Sequence, residues 1–334
     1  MGYSNEPSFI AAMLLAAAAV SAAQDEQPVA DTPAYRFTAR ADAVHLNVSV
    51  VNKKGKLVTD LEQNDFVVLE DDQPQEITHF SRDADAPIDV VLLVDASGSM
   101  DVTEKTANAR NAAIQLIHGL GDEDRVAVYA FDRELYRLSD FTTTKQESIA
   151  ALTRLEPFGS TALYDAVVTL SSHIIHEGFG RRAIVVVTDG VDTSSDASVE
   201  LAVTKAASVD LPVYAVRVVS PVDDPESDLF LGVHGASFRG KDALKRFSVE
   251  TGGVMFEGSQ WSQLVAASAR IREELKTQYR IIYVPHREPE SDAFRRVQVQ
   301  TRRRGIEART RKGYYPRKQS SLGTIRPASQ TITH

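Results

Sequence analysis

The stretch Ile88–Asp101, IDVVLLVDASGSMD, decides the fold, because a continuous apolar run leads straight into a turn of short oxygen-bearing side chains. An unbroken aliphatic run of this length is typical of a strand that is buried on both faces. Asp95, Ser97 and Ser99 alternate with small residues, so a loop leaving the strand can turn all three toward one point. A carboxylate and two hydroxyls are hard oxygen ligands, which suit Mg²⁺, Ca²⁺ or Mn²⁺ and argue against zinc or copper.

Two further oxygen donors stand in matching contexts later in the chain. Ala183–Thr188, AIVVVT, is a second buried-strand pattern, and it is followed at once by Asp189. Thr161 closes a Gly-Ser-Thr turn just before a helical pattern that begins at Leu163. These positions predict a metal site made of oxygens from three loops: Asp95, Ser97, Ser99, Thr161 and Asp189.

The three segments together, DASGS, then GST before a helix, then TDG after a strand, resemble the metal-ion-dependent adhesion site of von Willebrand factor type A domains. The resemblance implies that Ser97, Ser99 and Thr161 contact the cation directly. It also implies that Asp95 and Asp189 act directly or through water, and that an open coordination position takes a carboxylate from a partner protein. A purely structural role is the alternative: a polar turn and a helix-capping aspartate would explain each segment separately, but not their joint occurrence.

Strand and helix patterns alternate from residue 87 to about residue 276, which predicts a mainly parallel, doubly wound α/β sheet of Rossmann-like character. A short strand near Leu135–Leu138 is expected at an antiparallel edge. Ligands bind such sheets beyond the carboxyl ends of the strands, where the strand order reverses. The resemblance implies that the strands before Asp95 and Asp189 are neighbours at that point. The patterned segments are Ile88–Val94, Lys105–Leu120, Arg125–Phe131, Leu163–Glu177, Ala183–Thr188, Val199–Val209, Val213–Val219, Gly253–Phe256 and Ser262–Lys276.

Short strand patterns flank this α/β region on both sides. Neither set has enough strands to close a core of its own. We therefore expect the two sets to pair into one small β-sandwich into which the α/β domain is inserted, a layout that resembles integrin β subunits and bacterial secreted proteins with A-type domains. The flanking patterns are His45–Val51, Phe66–Leu69, Ile77–Phe80, Gln278–Val284, Phe294–Thr301 and Glu307–Tyr314.

The predicted organisation divides the chain into six parts. They are a signal peptide (1–23), a linker (24–34), an N-terminal β element (35–85), the A-type domain (86–276), a C-terminal β element (277–316) and a disordered tail (317–334). The signal peptide is predicted from the apolar run Phe9–Val20, which is followed by small residues suited to cleavage. It indicates a secreted or periplasmic protein, although the segment before it carries Glu6 and no Lys or Arg.

Composition excludes several classes of function. The formal charge of −9 and a pI near 5.4 argue against nucleic acid as a partner. The chain has no cysteine, which rules out disulfides, thiolate metal sites and lipid attachment through cysteine. No segment approaches the length of about 20 apolar residues that a transmembrane helix needs.

The sequence therefore predicts a non-enzymatic, divalent-cation-dependent module, with Mg²⁺ favoured over Ca²⁺ or Mn²⁺, that docks an acidic residue of a protein partner. The alternatives are a cytosolic assembly subunit that works with an ATPase and a metal-dependent hydrolase. Hydrolase motifs do not fit, because a haloacid-type phosphatase needs an aspartate where Ser97 stands and no G-x-S-x-G elbow is present.

Two groups of charged residues have an ordinary explanation beside a functional one. The C-terminal arginines from Arg295 to Arg311 suggest contact with anionic glycans or lipids, but solvated strand faces and protected edges explain them better. Asp101, Glu104 and Asp192 are candidates for a second cation site, and the favoured interpretation is that they are partners of helix N-termini.

Overall fold

The computed structural model describes residues 43–82, 86–101, 105–155, 159–174, 181–208, 211–219, 234–286 and 293–316. Within these ranges, the side chains of Ser99, Asp101 and residues 234–238 are outside the description. The predicted signal peptide, linker and C-terminal tail also lie outside it. No helix among the described residues is long and apolar enough to cross a membrane.

Fourteen strands and six helices make up the described part of the chain. The strands are β1 Val44–Asn52, β2 Phe66–Glu70, β3 Gln73–Gln75, β4 Ile77–Ser81, β5 Ile88–Asp95, β6 Arg125–Phe131, β7 Leu135–Thr142, β8 Arg181–Thr188, β9 Val213–Val218, β10 Met255–Gly258, β11 Tyr279–Tyr283, β12 Arg295–Thr301, β13 Ile306–Arg309 and β14 Gly313–Tyr314. The helices are α1 Lys105–Gly119, α2 Lys145–Thr153, α3 Leu163–Ile174, α4 Val199–Ser208, α5 His234–Thr251 and α6 Trp261–Thr277.

The central sheet has six strands in the order β10-β9-β8-β5-β6-β7. All pairings are parallel except β6 with β7, so the predicted antiparallel edge strand is confirmed. β5 lies between β6 and β8, and every residue of β5 is buried. The strands before Asp95 and Asp189 are therefore neighbours, as expected, and their carboxyl ends meet where the strand order reverses.

Helices cover both faces of this sheet, which is why its central strands show no polar alternation. On one face α1, α2 and α6 bury Leu116, Leu152 and Ile271 against the sheet. On the other face α3, α4 and α5 do the same through residues such as Leu170 and Phe247. The predicted doubly wound α/β architecture is confirmed.

Two antiparallel four-stranded sheets flank the central domain, in the orders β13-β1-β11-β4 and β14-β12-β2-β3. Each contains strands from both ends of the described chain, and the two sheets share one apolar core. The expected pairing of N- and C-terminal strands is thus confirmed. The exact boundaries of the six predicted parts of the chain remain predictions.

Several details differ from the sequence-based expectations. The predicted single strand Glu307–Tyr314 is wrong: Ile306–Arg309 joins one flanking sheet and Gly313–Tyr314 the other. The chain crosses between the sheets at Thr310–Lys312, where Lys312 donates its backbone N–H to Glu250 O and its carbonyl accepts from Val297 N. α2, α5 and β3 were not predicted, because their sequences lack a continuous apolar pattern.

Candidate metal centre

The carboxylate of Asp95, the last residue of β5, is buried and held by three hydrogen bonds. Its Oδ1 accepts from the backbone N–H of Ser97 at 2.9 Å and from Ser97 Oγ at 2.6 Å. Its Oδ2 accepts from Thr188 Oγ1 at 2.5 Å, and Thr188 Oγ1 in turn accepts from Gly190 N at 2.9 Å. This chain of hydrogen bonds links the ends of β5 and β8 directly.

The loop after β5 is joined to the loop before α3. Gly98 donates its backbone N–H to Gly159 O at 2.9 Å, and a Cβ on Gly98 would lie only 3.0 Å from the same oxygen. Gly159 has a φ of +77°, a conformation that favours glycine. Ala162 N also donates to Asp132 O beyond the end of β6. The two glycines therefore allow the loops carrying Ser97 and Thr161 to come into contact.

Thr161 is held by the loop that follows Asp189. Its backbone N–H donates to Thr193 Oγ1 at 2.9 Å, and its carbonyl accepts from the backbone N–H groups of Thr193 at 2.9 Å and Ser194 at 3.0 Å. Asp192 Oδ2 accepts from Tyr164 N at 3.1 Å at the start of α3. This contact agrees with the interpretation of Asp192 as a partner of a helix N-terminus.

Asp189 lies at the end of β8 and is 3% exposed. Its Oδ1 accepts from Val191 N at 3.0 Å, and its Oδ2 lies 3.0 Å from Lys105 Nζ. Gly190, which follows it, has a φ of +84° and packs against Gly240 of α5, where a Cβ would meet Gly190 O at 2.3 Å. A glycine on each side is required for this close approach.

The structure therefore brings together four of the five predicted metal residues. Asp95, Ser97, Thr161 and Asp189 are all buried and lie on loops that are hydrogen-bonded to one another. The side chain of Ser99 is outside the description, as are those of Asp101 and Glu104, which the sequence singled out as candidates for a second site.

Lys105 is the residue of this site that the sequence did not reveal. It is the first residue of α1, a position that usually faces water, yet its side chain is only 5% exposed. A charged lysine is almost never fully buried unless it is paired. Only the tertiary contact with Asp189 gives it a place in the site, and no local pattern in the sequence signals that contact.

The electrostatics of the site favour a bound cation. Burial, with the nearby charge of Asp189 adding to it, raises the pKa of Asp95 to about 7, despite the hydrogen bonds from Ser97 and Thr188 that lower it. A buried carboxylate next to a second one is costly to ionise unless a positive charge is added. In the described ranges, no group of three or more His, Cys, Asp or Glu side chains is placed to hold a metal ion, so a cation here depends on the hydroxyl donors as well.

The donor set fits a hard divalent cation. Two carboxylates and the Ser97 and Thr161 hydroxyls are oxygen ligands of the kind that Mg²⁺, Mn²⁺ and Ca²⁺ prefer. The hydroxyls are neutral, so they would not offset the charge of a bound cation further.

A cleft of about 900 Å³ lies next to these loops, between β7 and α2. Ala96 and Asp132 line the end nearest the site, while Tyr136, Glu147 and Arg154 line other parts of it. The cleft offers both apolar and charged surface to a segment that approaches the loops.

Part of the central sheet matches a known domain family. Residues 90–191 match the von Willebrand factor type A domain. The match runs from β5 to just beyond Asp189 and so includes all three loops of the site. The matched part of the central sheet is thus of the A type, as the resemblance implied, while the five-residue metal set remains a prediction.

Some solved structures resemble parts of this chain at low sequence identity and with TM-scores below 0.5. An aerotolerance-related membrane protein from Bacteroides fragilis is 20% identical, with 56% of this chain and 98% of that chain covered and a TM-score of 0.44. The PilB minor pilin from Streptococcus sanguinis is 15% identical, with coverages of 57% and 62% and a TM-score of 0.45. A von Willebrand factor type A protein from Catenulispora acidiphila is 13% identical, with coverages of 84% and 76% and a TM-score of 0.46. No curated protein matches the sequence.

Proposed function

We propose that this chain is a protein-binding module that docks an acidic side chain of its partner through a divalent cation. One observation supports the proposal: the buried residues Asp95, Ser97, Thr161 and Asp189 lie on three loops that are hydrogen-bonded to one another, near the carboxyl ends of the adjacent strands β5 and β8. A merely structural turn does not require this convergence. The match to the A-type domain, which includes all three loops, supports the same function.

The residues that would hold the cation are Asp95, Ser97, Ser99, Thr161 and Asp189, and Mg²⁺ is the cation proposed. When bound, the cation supplies a Lewis-acidic position for a carboxylate oxygen of the partner. Ser97 and Thr188 orient the carboxylate of Asp95, and the loop after Asp189 holds the backbone of Thr161. The cleft between β7 and α2 gives room for the partner segment that carries the acidic residue.

Binding fits this site better than catalysis does. A general base needs an accessible carboxylate or imidazole near the reacting group. Asp95 accepts three hydrogen bonds and is fully buried, while Asp189 forms an ion pair with Lys105. A metal-dependent hydrolase is accordingly the less favoured function, as is a cytosolic subunit that assembles with an ATPase. The sequence of the N-terminal segment supports a location in the cell envelope or outside the cell.

The first experiment measures cation binding by the full chain. Free Mn²⁺ is quantified by electron paramagnetic resonance for the wild type, for Thr161→Val and for Thr153→Val, a control whose hydroxyl donates to Ala150 O within α2. Thr161→Val removes one hydroxyl donor with little change of shape. We expect its Mn²⁺ affinity to fall by about tenfold or more, the effect of losing roughly 1.4 kcal/mol of binding, while Thr153→Val behaves as the wild type.

The second experiment tests partner binding. The immobilised full chain is exposed to envelope and secreted proteins in Mg²⁺ or in EDTA. A partner that is retained by the wild type only in Mg²⁺, and not by Thr161→Val, is the expected result. Equal retention in EDTA would contradict the proposed function, as would a wild type that binds no Mn²⁺.

A further inference from the structure

The buried ion pair between Lys105 and Asp189 is the feature that the proposed metal site does not require. Lys105 Nζ lies 3.0 Å from Asp189 Oδ2, and the two side chains are only 5% and 4% exposed. The other oxygen of this carboxylate accepts from Val191 N. The positive charge is therefore held against a predicted metal ligand and is shielded from water.

Other charges near Asp189 are arranged differently. Arg217 of β9 donates to the backbone carbonyl of Asp189 at 3.1 Å. Its guanidinium is paired with Glu257 at 2.7 Å, and Glu257 is also paired with Lys241. Arg217 thus has a carboxylate partner of its own outside the predicted metal set, whereas the charge of Lys105 faces that set directly.

The charge balance follows from these contacts. Asp95, Asp189 and Lys105 together carry one net negative charge when both carboxylates are ionised. A divalent cation then leaves one net positive charge at the site. Without the ammonium, the same cation and carboxylates would be neutral. Fixed charges in a poorly solvated site act strongly on one another over several ångströms.

We propose that Lys105 is a built-in counter-ion that weakens cation binding at this site and leaves the loaded site positively charged toward an acidic partner. The inference rests on the proposed function and adds a residue that sets how strongly the site binds the cation and the partner. The ammonium competes electrostatically with the divalent cation for Asp189. It also offsets one carboxylate, so that the attraction of the loaded site for an incoming carboxylate is greater than that of a neutral site.

The alternative is that Lys105 only positions Asp189, and the two roles predict opposite results. Loss of a counter-ion tightens cation binding, whereas loss of a positioning contact weakens it. The test uses the full-length variants Lys105→Gln and Lys105→Met, with Mn²⁺ alone as the probe. Both variants remove the positive charge; Gln keeps a polar group at the end of the side chain and Met does not. Lys241→Gln is the matched control, because it removes a more exposed ammonium that is 3.2 Å from Glu257.

We expect both Lys105 variants to bind Mn²⁺ about tenfold more tightly than the wild type, or more, since one unit charge near the cation is removed. Lys241→Gln should match the wild type. Unchanged or weaker Mn²⁺ binding by both Lys105 variants would overturn the inference while leaving the proposed function intact. Binding by these variants but not by the wild type would support the inference and refute the proposed function, and binding by neither would refute both.

A stability measurement covers the case in which the variants fold poorly. Removing one partner of a buried pair leaves the other charge unpaired, and a bound cation replaces the missing charge. A ligand that binds only the folded state stabilises it by an amount that grows with the logarithm of its affinity. The same Mn²⁺ concentration should therefore raise the melting temperature of Lys105→Gln more than that of the wild type, and an equal or smaller rise would overturn the inference.

Discussion

Asp95 illustrates how a single residue connects the fold to its site. It ends a strand that is buried throughout; its Oδ1 accepts hydrogen bonds from Ser97 in its own loop, and its Oδ2 accepts one from Thr188 of the neighbouring strand. Desolvation makes its ionised form costly, so the residue that shapes the site also makes the cation-free site less stable.

This cost predicts a pH dependence in EDTA. The pKa of Asp95 is raised to about 7 in the folded chain from its ordinary value of 3.8. The folded state thus keeps a proton that the unfolded state releases, so this contribution to stability is full below pH 4 and is lost as the pH rises through about 7. The loss amounts to roughly 4 kcal/mol at most for a shift of this size.

Asp95→Asn isolates this contribution, because it removes the titrating group and keeps the shape. In urea unfolding with EDTA, we expect the difference in stability between Asp95→Asn and the wild type to shift in favour of the variant between pH 5 and pH 8. A difference that does not change with pH would contradict the prediction. With Mn²⁺ present, the wild type should regain stability and the variant should not.

Asp189→Ala should be costly even without a cation, because it removes the buried carboxylate that lies 3.0 Å from the ammonium of Lys105. Breaking a buried pair in this way typically destabilises a protein by about 3–5 kcal/mol. Asp140→Ala, which removes an exposed partner of Arg137, should change the stability by less than about 1 kcal/mol. Urea unfolding in EDTA compares the two, and equal effects would show that the Lys105 pair contributes little.

The predicted metal residues could be chosen from the sequence alone, since each follows a strand or precedes a helix that the apolar pattern marks clearly. Lys105 was not, because its burial depends on the position of α1 over the end of β8 and on no neighbour in sequence. The same reasoning applies to Gly240, whose role depends on contact with Gly190. Contacts between distant elements are the part of the site that local patterns do not encode.

At the scale of elements, the buried parallel strands were the most predictable parts. Arg125–Phe131 was predicted with its observed bounds, and β5 differs from its prediction by one residue. α2 buries only Ser148 and Leu152 and gives a weak pattern. The strand expected to span Glu307–Tyr314 is divided in two, because the chain turns a corner there and its two halves pair in different sheets.

The contact between α5 and the loop after β8 gives a prediction for Gly240→Ala. The new methyl group would lie 2.3 Å from Gly190 O, so the helix or the Asp189 loop must move. Overpacking of this kind costs about 1–3 kcal/mol. We expect reduced stability in urea unfolding together with weaker Mn²⁺ binding, because the loop carries Asp189. Arg239→Ala, an exposed neighbour in α5, is the control, and Mn²⁺ binding equal to that control would contradict the prediction.

At the scale of the whole molecule, a buried polar network joins the central domain to the flanking sheets. Glu274 of α6 accepts from Tyr214 Oη of β9 at 2.9 Å and from Arg309 of β13 at 2.5 Å. Gln278 extends the network by donating to Tyr214 Oη at 3.1 Å and to Ser49 Oγ of β1 at 3.3 Å. The network thereby links α6 both to β9 of the central sheet and to β1 and β13 of a flanking sheet.

Glu274→Gln should weaken this connection. The substitution removes the charge opposite Arg309, and we expect a loss of about 2–4 kcal/mol of stability, somewhat below the cost of breaking a fully buried pair because Arg309 is partly exposed. Glu273→Gln is the matched control, because it changes the neighbouring residue, whose carboxylate forms an exposed pair with Arg270. Equal unfolding free energies for the two variants would show that the network does not contribute to stability.

The pairing across the flanking sheets also predicts how fragments behave. A fragment of residues 43–85 retains β1 to β4 but loses both neighbours of β1 and the partner of β2, namely β11, β13 and β12. We expect this fragment to be unfolded, as judged by its circular dichroism spectrum and by a narrow dispersion of its NMR chemical shifts. A stable, strand-rich fragment would contradict the conclusion that the flanking sheets need both ends of the chain.

The position of β1 also sets the order in which the chain can acquire its structure during synthesis. Val44 pairs with Tyr283, and Ser49 pairs with Arg309. Neither edge of β1 can therefore form its hydrogen bonds until these C-terminal residues have left the ribosome. The central sheet has all its strands before then and is able to form first. Until the C-terminal strands emerge, the nascent chain carries an apolar strand without its partners, and such unpaired strands favour aggregation.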